Sequence, residues 1–102
     1  EKDKRALATA EQALKLAPES PAVQDTLGWI LVQQGQGPRG LQLIEKAAAG
    51  APRHPEIRFH KAYALVKAGQ VTQARREIGQ LQKMKLSPEL QLQTEQLLKS
   101  LP

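Results

Sequence analysis

PESPAVQDTLGWILVQQGQGPRGLQLIEKAAAGA, residues 18–51, is followed at once by PRHPEIRFHKAYALVKAGQVTQARREIGQLQKMK, residues 52–85, and the second stretch restates the first. At an offset of 34 residues Pro18 returns as Pro52, Pro21 as Pro55, Gly28 as Ala62, Trp29 as Tyr63, Leu31 as Leu65 and Val32 as Val66. Gly35 returns as Gly69, Gly40 as Ala74 and Ile44 as Ile78, while Ala13, Ala47 and Leu81 form a further series at the same interval. The shared positions are of two kinds: Pro and Gly that punctuate helices, and small or aliphatic residues that let helices touch. A fixed period of this length marks a solenoid, in which each unit is one supersecondary element unable to bury its apolar face alone.

Within each copy the residues spell two helices. Ser20 is placed to cap a helix whose first turn holds Pro21, where a missing amide leaves no bond unmade. That helix is predicted to run to about Gln34 and to stop at Gly35, the residue best suited to a left-handed ending. Gln36 to Arg39 read as a turn, and a second helix extends from there to about Ala49. Gly40 allows a close approach of the pair but weakens its helix by about 1 kcal/mol relative to Ala, which predicts that this hairpin is the looser one. The next copy repeats the plan from His54 and Pro55, with a turn at Gly69 and a second helix from about Val71 to Lys85. Arg58 and Lys61 replace Gln24 and Leu27 on the flank facing the partner helix. Long basic side chains can lay their stems on apolar surface, so a less buried flank is expected there.

Upstream, residues 1–17 place Ala6, Leu7, Ala10, Ala13, Leu14 and Ala17 at helical spacing. In the repeat register this is the second helix of a unit without its first, so more protein is expected before Glu1, or a partner over the exposed face; that face also offers weak self-association. Ser87, Pro88 and Glu89 open a last helix with Leu90, Leu92, Leu97, Leu98 and Leu101 available for burial. The chain is expected to end near its natural terminus.

Composition narrows the class. The 102 residues make one small domain, and 40% apolar residues with only 3% aromatics call for a core of Leu, Ile, Val and Ala. Strands are not expected. No apolar run approaches the roughly 20 residues that span a bilayer. The absence of Cys excludes disulfides, thiolate catalysis and Cys-ligated zinc. The net charge of +5 is concentrated in residues 53–85, which carry eight bases against Glu56 and Glu77. A solvated basic face is the default reading on helices; a polyanion or nucleic-acid surface is the alternative.

Catalytic patterns are lacking: there is no Gly-rich phosphate loop, nucleophile elbow or paired-carboxylate arrangement. Glu56 and His60 lie one helical turn apart and could supply two metal ligands, but no third is visible, and structural zinc normally takes four. No cofactor or metal is therefore expected, and no enzymatic activity.

Leu27, Gly28, Gly35, Ala47 and Pro52, then Ala62, Gly69 and Ala74, together resemble the tetratricopeptide repeat. That resemblance implies an all-α, right-handed solenoid of helical hairpins. Residues 1–17 would be the second helix of an incomplete repeat, 21–52 and 55–85 two repeats, and 87–101 a capping helix. It also implies a binding scaffold whose first helices line a concave groove for peptides from protein partners. On that mapping the groove is formed by Asp25, Thr26, Trp29 and Gln33 from one unit and by Glu56, Phe59, His60, Tyr63 and Lys67 from the next. Aromatic anchors with a polar surround suit a binding hot spot, while rings filling space between helices are the alternative. The family's clamp for terminal carboxylates uses Lys, Asn and Arg on this face; Asp25, Thr26, Trp29, Glu56 and His60 stand there instead, which favours an apolar or mixed peptide.

DTLGWILVQQG (25–35) and PEIRFHKAYALVKAG (55–69) further resemble bacterial multi-repeat proteins of exopolysaccharide export and of the PEP-CTERM and exosortase sorting system, often lipoproteins. That resemblance implies a periplasmic parent anchored to the membrane through a part outside this sequence, with no membrane insertion by these residues.

Overall fold

The computed structural model describes residues 2–102, with side chains from Lys4 onward. Glu1, the first residue of the helix expected over 1–17, lies outside the described residues. Six helices follow in order: α1 (Lys2–Leu16), α2 (Pro21–Gln33), α3 (Gly37–Gly50), α4 (Pro55–Lys67), α5 (Val71–Gln82) and α6 (Pro88–Lys99). Among the described residues there is no strand, and no helix is long and apolar enough to cross a membrane. The fold is an all-α repeat solenoid of helical hairpins, 35 × 25 × 23 Å in extent.

The repeat extends from residue types to hydrogen bonds. Ser20 Oγ accepts from the Val23 amide at 3.3 Å, and one period later His54 Nδ1 accepts from the Ile57 amide at 3.4 Å. Gln24 Nε2 donates to the Pro18 carbonyl at 2.8 Å, and Arg58 Nη1 donates to the Pro52 carbonyl at 3.1 Å. Gly35 and Gly69 take φ of +83° and +76°. Each lets the following glutamine amide reach back across the helix end, Gln36 to Leu31 O at 2.8 Å and Gln70 to Leu65 O at 3.0 Å. This satisfies carbonyls that a helix end otherwise leaves open.

Two helix boundaries differ from expectation. Gly37 and Pro38 belong to α3 rather than to the preceding turn, because a proline in the first turn has no amide bond to lose. α5 stops at Gln82 instead of Lys85. The Lys83 and Met84 amides make short-range bonds to Gln80 O at 3.2 Å and Leu81 O at 2.9 Å. The chain must then become extended at Ser87 (φ −63°, ψ 156°) ahead of Pro88. Met84 and Leu86 pack on the neighbouring core as the connection passes.

The hairpins differ in how closely they pack. Gly28 on α2 faces Gly40 on α3: a Cβ on Gly28 would stand 2.7 Å from Ile44 Cγ1, and one on Gly40 would stand 2.6 Å from the Gly28 carbonyl oxygen. Bare backbone meets bare backbone here, so α2 and α3 pack more closely than α4 and α5, where Ala62 and Ala74 interpose methyl groups. The expectation that Gly40 makes the looser hairpin is corrected on this ground: the local helix cost of Gly is set against a closer interface.

The second hairpin replaces apolar contact by charge. Leu27 is fully buried and Leu43 packs against its cluster. At the same interval Lys61 lies 3.5 Å from Glu77, and Arg58 Nη2 lies 3.0 Å from the same carboxylate. Glu77 is 7% exposed. The bases on the α4 flank are thus turned toward α5 and held by an acid placed among them. The flank is less buried, as expected, with Arg58 and Lys61 at 20% and 28% exposure where Gln24 and Leu27 are buried; what the expectation lacked is Glu77, whose pairing lets the two bases border the interface.

Candidate functional site

Because first helices follow one another at a near-constant interval, with Pro21, Pro55 and Pro88 each in a first turn, α2, α4 and α6 occupy equivalent places. Their C-terminal halves share one cleft of about 420 Å³, lined by Trp29 and Gln33, by Phe59, Tyr63, Val66 and Lys67, and by Gln93, Gln96, Leu97 and Ser100. The N-terminal halves of α4 and α6 share a second cleft of about 320 Å³, bounded by Glu56, Phe59, His60, Ser87, Glu89, Leu90 and Gln93, with Trp29 at its edge. The three helices therefore run side by side in one direction. Trp29, Phe59 and Gln93 form the wall between the clefts.

Trp29 is half-buried and is held from two sides. Its ring stacks on His60 with centroids 4.0 Å apart and planes 19° from parallel, and it meets Tyr63 edge-on at 5.0 Å. His60 is in turn fixed by Asp25, its Nδ1 donating to the two carboxylate oxygens at 2.8 and 3.0 Å. Both side chains are largely enclosed, at 18% and 14% exposure. Phe59 is 9% exposed and belongs to the core formed with Ala62, Ile78, Leu81, Leu90 and Leu97. It contributes floor to both clefts, while Tyr63 remains half-buried with Lys67 Nζ 5.4 Å from its ring centroid.

Most of the residues expected on one face are brought together: Trp29, Gln33, Glu56, Phe59, His60, Tyr63 and Lys67 all line the paired clefts. Asp25 lines neither, and reaches the face only through His60. Thr26 is turned elsewhere. Its hydroxyl donates to Ala22 O at 2.9 Å, and it lines an apolar depression between α1 and α2 with Ala10, Ala13, Val23 and Ile30. Thr26 and Trp29, three residues apart, differ by only about 60° around the helix, but α2 lies between α1 and α4, so that step carries Thr26 to the α1 side and Trp29 to the α4 side.

Sequence reasoning missed the contribution of α6. Its exposed Gln93 and Gln96, together with Leu97 and Ser100, close the far side of the larger cleft, so this helix lines the face as well as covering core. The signal was present in Ser87-Pro88-Glu89, which matches the openings of α2 and α4 at an interval one residue short of the repeat.

Charge is distributed along the face by helix direction. Glu56 and Glu89 lie in the first turns of α4 and α6, and Lys67 and Lys99 in their last turns. Each sign sits where the helix dipole favours it, so one end of the face is acidic and the other basic. Among the described residues no three His, Cys, Asp or Glu side chains converge as metal ligands.

A family model for the tetratricopeptide repeat matches residues 31–95, from within α2 to within α6. No curated protein and no solved structure matches the chain significantly.

Proposed function

The chain belongs to the tetratricopeptide repeat family, whose domains are typically non-catalytic interaction modules, and on that premise we propose that α2, α4 and α6 receive a peptide segment of a protein partner. The observation that carries the reading is the position of Trp29. Its indole is immobilised by His60 and Tyr63 yet borders both clefts. A rigid aromatic with little rotamer freedom left to lose is what a binding hot spot requires. Tyr63, Val66 and Leu97 extend the apolar surface beside it, and Gln33, Gln93 and Gln96 supply amides that can pair with a guest backbone.

The test is capture of a specific protein by the immobilised chain, compared with the Trp29→Ala and Tyr63→Ala variants. Loss of capture with unchanged far-UV circular dichroism is expected; retention of full capture by both variants would remove this surface from consideration.

A polyanion site on the basic segment is less well supported, because Arg58 and Lys61 are engaged by Glu77. It calls for affinity that falls steeply with salt. A narrower role in exopolysaccharide export or PEP-CTERM sorting rests on the resemblance of residues 25–35 and 55–69 alone; unaltered export after deletion of the gene would count against it.

A further inference from the structure

We infer that the occupant of the α2, α4, α6 face is an extended segment in which an apolar side chain is accompanied, about three residues away, by Lys or Arg. This rests on the proposal that the face binds a peptide, and adds the chemistry of the guest. Three observations bear on it. First, the larger cleft is floored by Trp29, Phe59, Tyr63, Val66 and Leu97, with Gln33, Gln93, Gln96 and Ser100 among its polar residues, which suits an apolar side chain on a hydrogen-bonding backbone. Second, the adjoining cleft is bounded by Glu56 and Glu89, neither of which has an ion pair or hydrogen bond to another side chain among the described residues. The chain has only 10 acids against 15 Lys and Arg. Two unpaired carboxylates bordering one cleft of so basic a protein give that end of the face a charge opposite to the molecule's own. Third, the anchors lie at a definite separation: Glu56 and Tyr63 are seven residues apart on α4, about 10 Å along the helix, which an extended guest spans in roughly three residues.

The same layout argues against an acidic or nucleic-acid guest on this face. Spanning from the apolar cleft into the adjoining one, such a ligand would pass beside Glu56 and Glu89, and like charges in a partly desolvated site repel. Lys67, at the opposite end, is already drawn over the Tyr63 ring.

The experiment pans a phage-displayed library of random dodecapeptides on the full chain and measures the enriched peptides by fluorescence anisotropy. The targets are the parent chain, Trp29→Ala, Gln96→Arg and the double variant Glu56→Gln with Glu89→Gln. Enrichment of peptides carrying Lys or Arg about three positions from Leu, Ile, Met or an aromatic is expected. The double variant should raise their Kd about tenfold or more and flatten its salt dependence. Gln96→Arg fills the apolar cleft from an exposed position and should also abolish binding, which keeps the test intact if Trp29→Ala does not fold. Peptides that need Trp29 or an open cleft but are indifferent to the two glutamates, or that are acidic, would overturn the inferred guest while leaving a peptide groove. No enrichment, or binding insensitive to both Trp29→Ala and Gln96→Arg, would overturn the groove itself.

Discussion

Trp29 and His60 lie face to face across the α2–α4 boundary, 4.0 Å between ring centroids, with the imidazole fixed from its other side by Asp25. One histidine thus joins two successive units: its ring packs on α2 through Trp29, and its Nδ1 bonds to α2 through Asp25. A stacked ring pair contributes about 0.5–1.5 kcal/mol, and a hydrogen bond to a charged group about 1.5–3 kcal/mol. His60→Ala is therefore expected to lower stability by about 2 kcal/mol in urea unfolding. The emission of Trp29, the single tryptophan, should change with it. An unaltered unfolding midpoint would show that the stack does not couple the units.

Glycines in this chain should respond to alanine in opposite directions. Gly28→Ala would place a Cβ 2.7 Å from Ile44 Cγ1 and 2.9 Å from the Gly40 carbonyl oxygen, and backbone cannot move aside cheaply. Overpacking of this kind costs about 1–3 kcal/mol, more than the roughly 1 kcal/mol that Ala gains over Gly in a helix. Gly79 lies within α5 with nothing within 4 Å of a built Cβ, so Gly79→Ala should stabilise by about 0.5–1 kcal/mol. Thermal unfolding of the two variants checks both signs.

Glu77 should be costly to remove alone and inexpensive to remove with its partners. Glu77→Leu leaves Arg58 and Lys61 facing an apolar interface, and a loss of about 2 kcal/mol is expected, below the 3–5 kcal/mol for fully buried pairs because both bases keep some solvent. The triple variant Arg58→Gln, Lys61→Leu, Glu77→Leu restores the residues of the first hairpin, Gln24, Leu27 and Leu43. It should match or exceed the parent in stability. Additive losses across this cycle would show that the charges act independently.

Glu11 and Arg39 join α1 to α3 through two hydrogen bonds of 2.7 and 2.8 Å. The hydrogen bonds from Arg39 hold the Glu11 carboxyl below its ordinary pKa. A carboxyl depressed in the folded state stabilises it above the unfolded pKa, and that contribution is lost as pH falls through the folded value. The pair is open to solvent, Arg39 at 47% and Glu11 at 35% exposure, so the effect is limited to less than about 1 kcal/mol. Arg39→Ala should be slightly less stable than the parent near neutral pH, with the difference vanishing in acid. A difference that persists in acid would assign the effect to packing of the Arg39 stem instead.

The hairpin plan was legible because helix punctuation is local. Pro21 and Pro55 need only a free first turn, and Gly35 and Gly69 need only a left-handed φ, so spacing alone announces them. The ends of α3 and α5 were less legible. Pro38 is compatible with either a turn or a first helical turn, and Lys83 to Lys85 carry no stop signal of their own; the requirement that Ser87 be extended before Pro88 reaches back to end the helix. On the candidate face, one helical face was assigned to too wide an arc. Thr26 fell to the α1 side, and Asp25 withdrew to His60, because each residue of α2 is divided among several neighbours.

By itself the sequence determined the period, the helices within each unit and the family, since these depend on residue type and near-neighbour spacing. Tertiary structure decided which differences between the copies matter. The bases gained at Arg58 and Lys61 are balanced by Glu77, a residue 19 and 16 positions away that no local pattern singles out. Trp29 takes its meaning from His60, brought beside it from 31 residues along the chain. α6 becomes the third wall of the face because it occupies a first-helix place. Each is a contact between helices, set by how backbones approach in space, and Gly28 against Gly40 shows how much a single missing methyl on either side can change that approach.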